Sequence, residues 1–343
     1  MSTSLYTTSK LLAVTRQKFK FDPLFLRLFF REMYEFDTEL VNLALIPGNV
    51  EMALYISPTV SGEVIRSRGG LTRQFKPGYV KPKHEVNPQM TIRRLPDEDP
   101  QLLTDPAYRR RRILLQNLQD EELAIQQVEE RQAVDAVLYG KYIMTGEQFE
   151  PVEVDMQRSA ANNITQAGSA AWTAQDRDTF DPTDDIEKYA LAASGIINIC
   201  VMDPKAWALF RSFKSVKDKL DTRRGSNSVL ETAVKDLGLA VSYKGMYGDM
   251  AIVVYTGEHI VDGQKTHYLP DYTMVLGNNQ ARGIRTYGGI QDIEAIGEGI
   301  TKSSRYPKNW IQTGDPAREF TMTQSAPLML LTDPDEFVVV TLA

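Results

Sequence analysis

The residues best equipped for chemistry in this sequence are few and scattered. Histidine occurs at 84, 259 and 267, and cysteine only at 200, so a zinc site has few ligands to draw on, and their spacing matches no metal motif. Asp97-Glu98-Asp99 and Asp184-Asp185 are acidic clusters. Paired carboxylates can do acid–base work or hold a hard cation, and their commoner role is to open helices or line solvated turns. Gly245-Met246-Tyr247-Gly248 and Tyr287-Gly288-Gly289 are glycine-bearing turns without the lysine or acidic partner that a phosphate cradle needs. No phosphate-binding loop, dinucleotide fingerprint, nucleophile elbow or HExxH motif occurs. A Ser/His/Asp site need not be contiguous in sequence, but nothing here recommends one. No catalytic residue, metal ligand or cofactor is therefore assigned, and an enzyme would require an unfamiliar site.

The sharpest charged feature is Arg109-Arg110-Arg111-Arg112. It falls in the first turns of the longest helical pattern, where the helix dipole disfavours cations. Consecutive helical residues also point around the helix and not along one face. The run thus calls for anionic partners: acidic side chains of a neighbour, nucleic acid, or solvent around a helix start. The net acidity of the chain, −6, argues against tight nucleic-acid binding. That charge is uneven: residues 1–120 carry net +5, residues 121–200 net −10 and residues 201–343 net −1. A basic portion beside an acidic one suits contacts between copies, where opposite patches set register; two solvated faces that never meet would look the same.

The elements that must position these groups belong to an ordinary globular composition, 42% hydrophobic and 24% charged, which excludes wholesale disorder. No run reaches the roughly 18 apolar residues of a membrane span, and the N-terminus lacks the order of a signal peptide. A single cysteine permits no internal disulfide and fits a reducing cytosol. Asp-Pro occurs seven times, beginning at 22, 99, 105, 181, 203, 315 and 333. Aspartate caps and proline takes the first helical position, so each pair marks a start or a turn.

Residues 1–50 read as an arm. Leu5 to Lys18 suits a short helix, and Phe21, Leu24, Phe25, Leu28 and Phe29 share a helical face too apolar to stay wet, which must dock on its own body or on another copy. Residues 55–95 change to glycine, proline and basic residues, with alternation over Thr59–Arg66 and a Gly69-Gly70 turn; this is an extended hairpin with little apolar mass, marginal without a partner surface. Asp105 to Tyr139 is the clearest helix, capped by Asp105-Pro106 and stopped by Gly140. Its narrow stripe (Ile113, Leu114, Leu118, Ile125, Val128, Val137, Leu138) and polar sides describe a strut. Lys141–Met156 reads as a hairpin and 157–183 as a polar loop. Beyond it come a helix over Ile186–Ser194, a buried strand over Ile196–Met202 and a helix opened by Asp203-Pro204 with Trp207, Phe210, Phe213, Val216 and Leu220 inward. A helix capped by Ser228 and Glu231, a strand over Ala251–Tyr255, an Asp262-Gly263 hairpin turn and alternating strands over Phe320–Leu331 and Phe337–Leu342 complete the pattern. The class is α+β with antiparallel pairing.

Ten stretches carry a family likeness. FKFDPLFLRLFFRE (19–32), SGEVIRSRGG (61–70), PGYVKPKHEVNPQMT (77–91), RRLPDEDP (93–100), DPAYRRRR (105–112), LDTRRGSNS (220–228), SYKGMYGD (242–249), RYPKNW (305–310), TGDPAREFTM (313–322) and QSAPLMLL (324–331) resemble, in colinear order, the lambda-like major capsid proteins of tailed phages. The resemblance implies the Hong Kong 97-type capsid fold: an N-terminal arm (1–50), an extended loop (51–100), a peripheral domain (101–195 and 316–343) with its spine helix at 105–139, and an axial domain (196–315). It implies a non-enzymatic subunit that assembles pentamers and hexamers of an icosahedral procapsid, which expands on DNA packaging. The implied partners are further copies of the chain, a scaffolding protein, trimers of a decoration protein, a portal at one vertex and encapsidated DNA in weak contact, with no membrane; the implied location is the virion, assembled in the host cytoplasm. Under this reading Arg66, Arg68, Lys81 and Lys83 of the loop, Arg109 and Arg110 of the helix, and Phe25 and Phe29 of the arm are the candidate contacts between copies. The alternatives are an enzyme of unfamiliar site and another oligomeric virion component, such as a tail or connector protein.

Overall fold

The computed structural model describes residues 23–45, 71–92, 105–146, 149–219, 240–261 and 264–343. In chain order the arm side gives α1 (Leu24–Phe29), β1 (Phe30–Glu35) and β2 (Val41–Leu45). Then come β3 (Leu71–Phe75), β4 (Lys83–Val86), α2 (Pro88–Ile92), α3 (Pro106–Tyr139), β5 (Lys141–Gly146) and β6 (Phe149–Asp155). The middle adds β7 (Asn163–Thr165), α4 (Pro182–Ala190), β8 (Ile199–Met202), α5 (Pro204–Phe210), α6 (Lys214–Lys219), β9 (Val241–Tyr247), β10 (Met250–Tyr255), β11 (Glu258–Val261) and β12 (Gln264–His267). The chain continues through β13 (Thr273–Gly277), β14 (Gly283–Tyr287), α7 (Ile293–Glu298), β15 (Tyr306–Gln312), β16 (Arg318–Gln324), β17 (Pro327–Leu331) and β18 (Val338–Thr341).

α3 has the ends its sequence requires. The Asp105 carboxylate accepts the Ala107 N–H at 3.3 Å, and Pro106 takes the first turn. Gly140 stops it at φ +67°, where a Cβ would collide with the Arg158 side chain. Arg158 donates instead to the terminal carbonyls of Val137 and Leu138, at 2.5 and 3.2 Å. At 34 residues the helix is about 51 Å long. The hairpin read over Lys141–Met156 is β5–β6, in antiparallel register from Lys141↔Asp155.

The largest sheet has the order β7-β18-β13-β8-β10-β9. Its strands send alternate residues to opposite sides. Ile199, Val201, Val253, Val275 and Val339 join the core beneath α3 and α1. Cys200, Met202, Ile252, Met274, Leu276, Val338 and Val340 join a second core capped by Trp172, Tyr189, Phe210 and Phe213. Covered on both faces, these strands read as continuous apolar runs. A second sheet, β1-β14-β17, lays the arm strand parallel to β14, with Phe30 opposite Gly283 and Glu35 opposite Tyr287. A third, β15-β16-β4, brings the residues around Lys83 onto β16. β2 pairs with β3 from Val41↔Phe75 to Leu45↔Leu71, so the two-stranded ladder begins within the segment read as arm.

Several expectations need correction. The pairing is not all antiparallel, since β1–β14, β8–β10 and β7–β18 are parallel. The strand read over Ile196–Met202 begins at Ile199, and Ile196 is exposed. The polar stretch 157–183 is not a bare loop: Trp172 in it is wholly buried and donates its indole N–H to Asp185 at 2.9 Å. The helix placed at 186–194 runs from Pro182 to Ala190, because Asp181 caps it through the Thr183 N–H. The helix opened by Asp203-Pro204 breaks into α5 and α6. There Ser212 turns its hydroxyl onto the Leu209 carbonyl at 2.6 Å, a local bond that competes with helix continuation, and Phe213 swings in beside Trp172 and Phe180. Among the Asp-Pro pairs, Asp105, Asp181, Asp203 and Asp333 cap the turns that follow them, while Asp315-Pro316 lies between β15 and β16 with a cis peptide bond. The expected helices at 5–18 and 228–238, the strand at 59–66 and the Asp262-Gly263 turn residues lie outside the described residues; the flanking strands of that turn do pair, Val261 opposite Gln264.

Candidate functional site

α3 buries the apolar stripe read from its sequence, Ile113, Leu114, Leu118, Ile125, Val137 and Leu138, and more besides. Glu121, Glu122, Glu129, Glu130 and Gln132 are all buried on it. The two Glu-Glu pairs are eight residues apart, just over two turns, so they share a face with Ile125 and Ala133. A buried carboxylate is tolerated only with hydrogen bonds or a countercharge, and those here fasten three distant parts of the chain to the helix: β16 with β4, Arg305, and α1.

Nearest the helix start, Arg110 reaches β16, with Nε and Nη2 donating to the two oxygens of Glu319 at 2.6 and 2.8 Å. Asn309 of β15 donates to the same carboxylate at 3.0 Å. Glu121 then accepts the hydroxyls of Thr321 and Thr323 of β16, both at 2.7 Å, and lies 3.2 Å from Nδ1 of His84 on β4. Burial raises the Glu121 carboxyl above its ordinary range, opposed by those hydroxyls and the imidazole.

Midway along, Glu122 and Glu129 hold Arg305 from two sides, at 2.9 and 2.7 Å. Burial works against the guanidinium charge, but the two carboxylates outweigh it and hold Arg305 above its usual range. Arg305 also donates to the Ser304 carbonyl and the Ser325 hydroxyl, which ties the entry to β15 against the segment after β16.

Glu130 takes the arm. Its Oε1 accepts the Phe25 N–H and the Tyr255 hydroxyl, each at 3.0 Å, and its Oε2 accepts the Leu26 N–H at 3.1 Å. These are open amides of the first turn of α1, and the residue before that helix, Pro23, supplies no side-chain cap. A carboxylate from a distant helix therefore caps α1.

The candidate contact residues separate into groups. Phe25 and Phe29 are 0% exposed, packed on each other, on Tyr255 and on Phe337, so they lie in the core of this chain. The apolar arm face docks on its own body, because α1 is capped and surrounded there. Arg110 is matched within the chain by Glu319, and Arg109 donates to the Ile92 carbonyl at 3.2 Å. Lys83 lies 3.9 Å over the Phe320 ring, and Lys81 4.7 Å over that of Tyr79; both lysines are exposed. Arg66 and Arg68 lie outside the described residues. Sequence reasoning missed Glu121, Glu122, Glu129, Glu130 and Arg305. The one local signal was paired glutamates in register with an apolar stripe. Among the described residues no group of three His, Cys, Asp or Glu side chains is placed to hold a metal ion.

What this arrangement does chemically is mechanical: one helix gathers the arm, the strand β4 and the β15–β16 pair through buried carboxyl groups and their hydrogen-bond or ion-pair partners. Comparison with known proteins agrees with a structural role. The family described as Phage major capsid protein E matches residues 7–342. The major capsid protein of Escherichia phage N15 is 75% identical over 340 residues, 99% of this chain and 100% of the relative. That of Escherichia phage lambda is 74% identical over the same shares. The crystal structure of a prophage protein assigned as a capsid protein, from E. coli CFT073, superposes with a TM-score of 0.83 at 37% identity, covering 100% of both chains.

Proposed function

This chain belongs to the phage major capsid protein E family and has its α+β, Hong Kong 97-type capsid fold, and from that premise we propose how it builds a shell. Its function is that of a major capsid protein, a self-associating subunit of the phage head, and it resides in the virion. The finer reading is that copies form pentamers and hexamers of an icosahedral procapsid. A scaffolding protein assists, a portal occupies one vertex, DNA packaging drives expansion, and trimers of a decoration protein clamp the lattice. Assembly takes place in the host cytoplasm, and DNA touches the inner face weakly.

We also propose the division of labour within the chain: arm 1–50, extended loop 51–100, peripheral domain 101–195 with 316–343, and axial domain 196–315. The observation that carries the reading is the fastening of α1 and β4 to one 34-residue helix. A subunit that must reach its neighbours needs a rigid beam from which its extensions depart, and buried carboxyl groups with fixed partners give a beam its geometry. Arg66, Arg68, Lys81 and Lys83 meet acidic groups of adjacent copies, since opposite charges set register between subunits.

Expression with a scaffolding protein, followed by electron microscopy, should give closed shells; rings or soluble monomers alone would overturn the reading. Arg66→Glu with Arg68→Glu should weaken or abolish those shells. Unchanged particles of unchanged stability would remove the loop charges from the account.

A further inference from the structure

Glu130 differs from the other buried carboxylates around α3. Glu122 and Glu129 share Arg305, and Glu319 has Arg110. The bonded partners of Glu130 are neutral: two amides and a phenol. The Arg285 guanidinium acts on it through space, yet directs its own N–H groups at the carbonyls of Phe30 and Leu26, at 2.6 and 2.9 Å. A wholly buried carboxylate without a bonded cation is costly to keep ionised.

We infer that Glu130 is a proton-linked latch on the arm: α1 docks on α3 with uptake of a proton by Glu130, and loosens as that proton leaves. The geometry suits both forms. Oε1 carries two of the three bonds and can keep both in a protonated acid, while Oε2, with only the Leu26 N–H, is free to hold the proton. Docked, the carboxyl is dry, and burial pushes it up to about 7 against the opposing pull of Phe25, Leu26, Tyr255 and Arg285. Released, it meets water and returns to about 4.3, the ordinary value for glutamic acid. The docked state thus holds more protons between those two values, and linkage makes docking tighter on the acid side and looser as pH rises through 7.

Other titratable and charged groups face the same site. On α1 the charged residue is Arg27; β14 supplies Arg285, β10 supplies Tyr255, and Tyr268 stacks on Tyr255. On α3 itself the neighbours are Glu129, paired with Arg305, and Arg131, paired with Asp135. Burial pushes Tyr255 and Tyr268 far above this window. His259 packs on Tyr268, and burial holds its imidazole below the ordinary range.

The inference rests on reading the residues before α1 as an arm, and its test is separable from assembly. Amide hydrogen exchange is followed in the full-length, unassembled subunit and corrected for intrinsic pH dependence. Protection of the Phe25 and Leu26 amides should fall about tenfold from pH 6 to pH 8. Glu130→Gln should flatten that dependence. Tyr255→Phe removes a bond that favours the charged form and should move the midpoint to higher pH. Equal protection at both pH values in the unsubstituted chain, an undiminished slope in Glu130→Gln, or an unmoved midpoint in Tyr255→Phe would each overturn the latch. Should Glu130→Gln not fold, the other two measurements decide. Failure to form closed particles would count against the shell reading and leave these exchange results standing.

Discussion

Arg110 and Glu319 meet through two N–H···O bonds of 2.6 and 2.8 Å, and this pair joins the first turns of α3 to β16. Glu319 is nearly inaccessible to water, while Arg110 keeps about a third of its side chain exposed. A cation near a helix N-terminus is disfavoured by the dipole, so the pairing accounts for an arginine at a position that local preference would reject. Arg110→Ala should destabilise the chain by about 1–3 kcal/mol, less than a fully buried pair because of that exposure. Arg110→Lys should recover only part, since a lysine cannot form the fork. Urea denaturation of the two variants measures both values.

Arg305 is the more critical cation, since two carboxylates depend on it. Arg305→Met would leave Glu122 and Glu129 buried without their countercharge, at a cost of about 3–5 kcal/mol. The deficit should shrink as pH falls, because the orphaned carboxylates then take up protons. A thermal midpoint that falls equally at pH 5 and pH 8 would contradict the assignment.

Phe25→Ala and Phe29→Ala each empty a site that is wholly buried within one chain. Each should cost about 3–5 kcal/mol. The loss should be visible in isolated subunits. A variant with normal subunit stability and defective shells would mean that these rings serve a neighbour after all.

Cys200 is wholly buried on β8, and burial pushes its thiol well above the ordinary range. It should resist maleimide labelling in the folded subunit and react once the chain is unfolded. Labelling of the native protein at the rate of a free thiol would show that the second core opens.

Legibility followed the range of the determining interactions. The ends of α3 are written locally, in Asp105-Pro106 and Gly140, and they stand where the sequence placed them. The β5–β6 hairpin is local too. The apolar face of α1 was visible, but its destination was not, because Tyr255, Phe337 and Glu130 lie far along the chain. The buried glutamates looked like solvated helix residues, since the groups that satisfy them arrive from distant α1, β4, β10, β16 and Arg305. Trp172 was hidden for a related reason: its surroundings are polar, and its burial is created by helices that pack later in the sequence.

The position of β18 has a consequence for the timing of synthesis. Val339 lies between Asn163 of β7 and Val275 of β13, so a strand translated near residue 340 occupies an interior place in the largest sheet. Until it emerges from the ribosome, β7 has no partner and both cores lack one wall. Pairings of such sequence separation form slowly. The nascent chain is therefore held short of its finished shape until β18 has been made, and neighbours meet only subunits in which that strand has emerged.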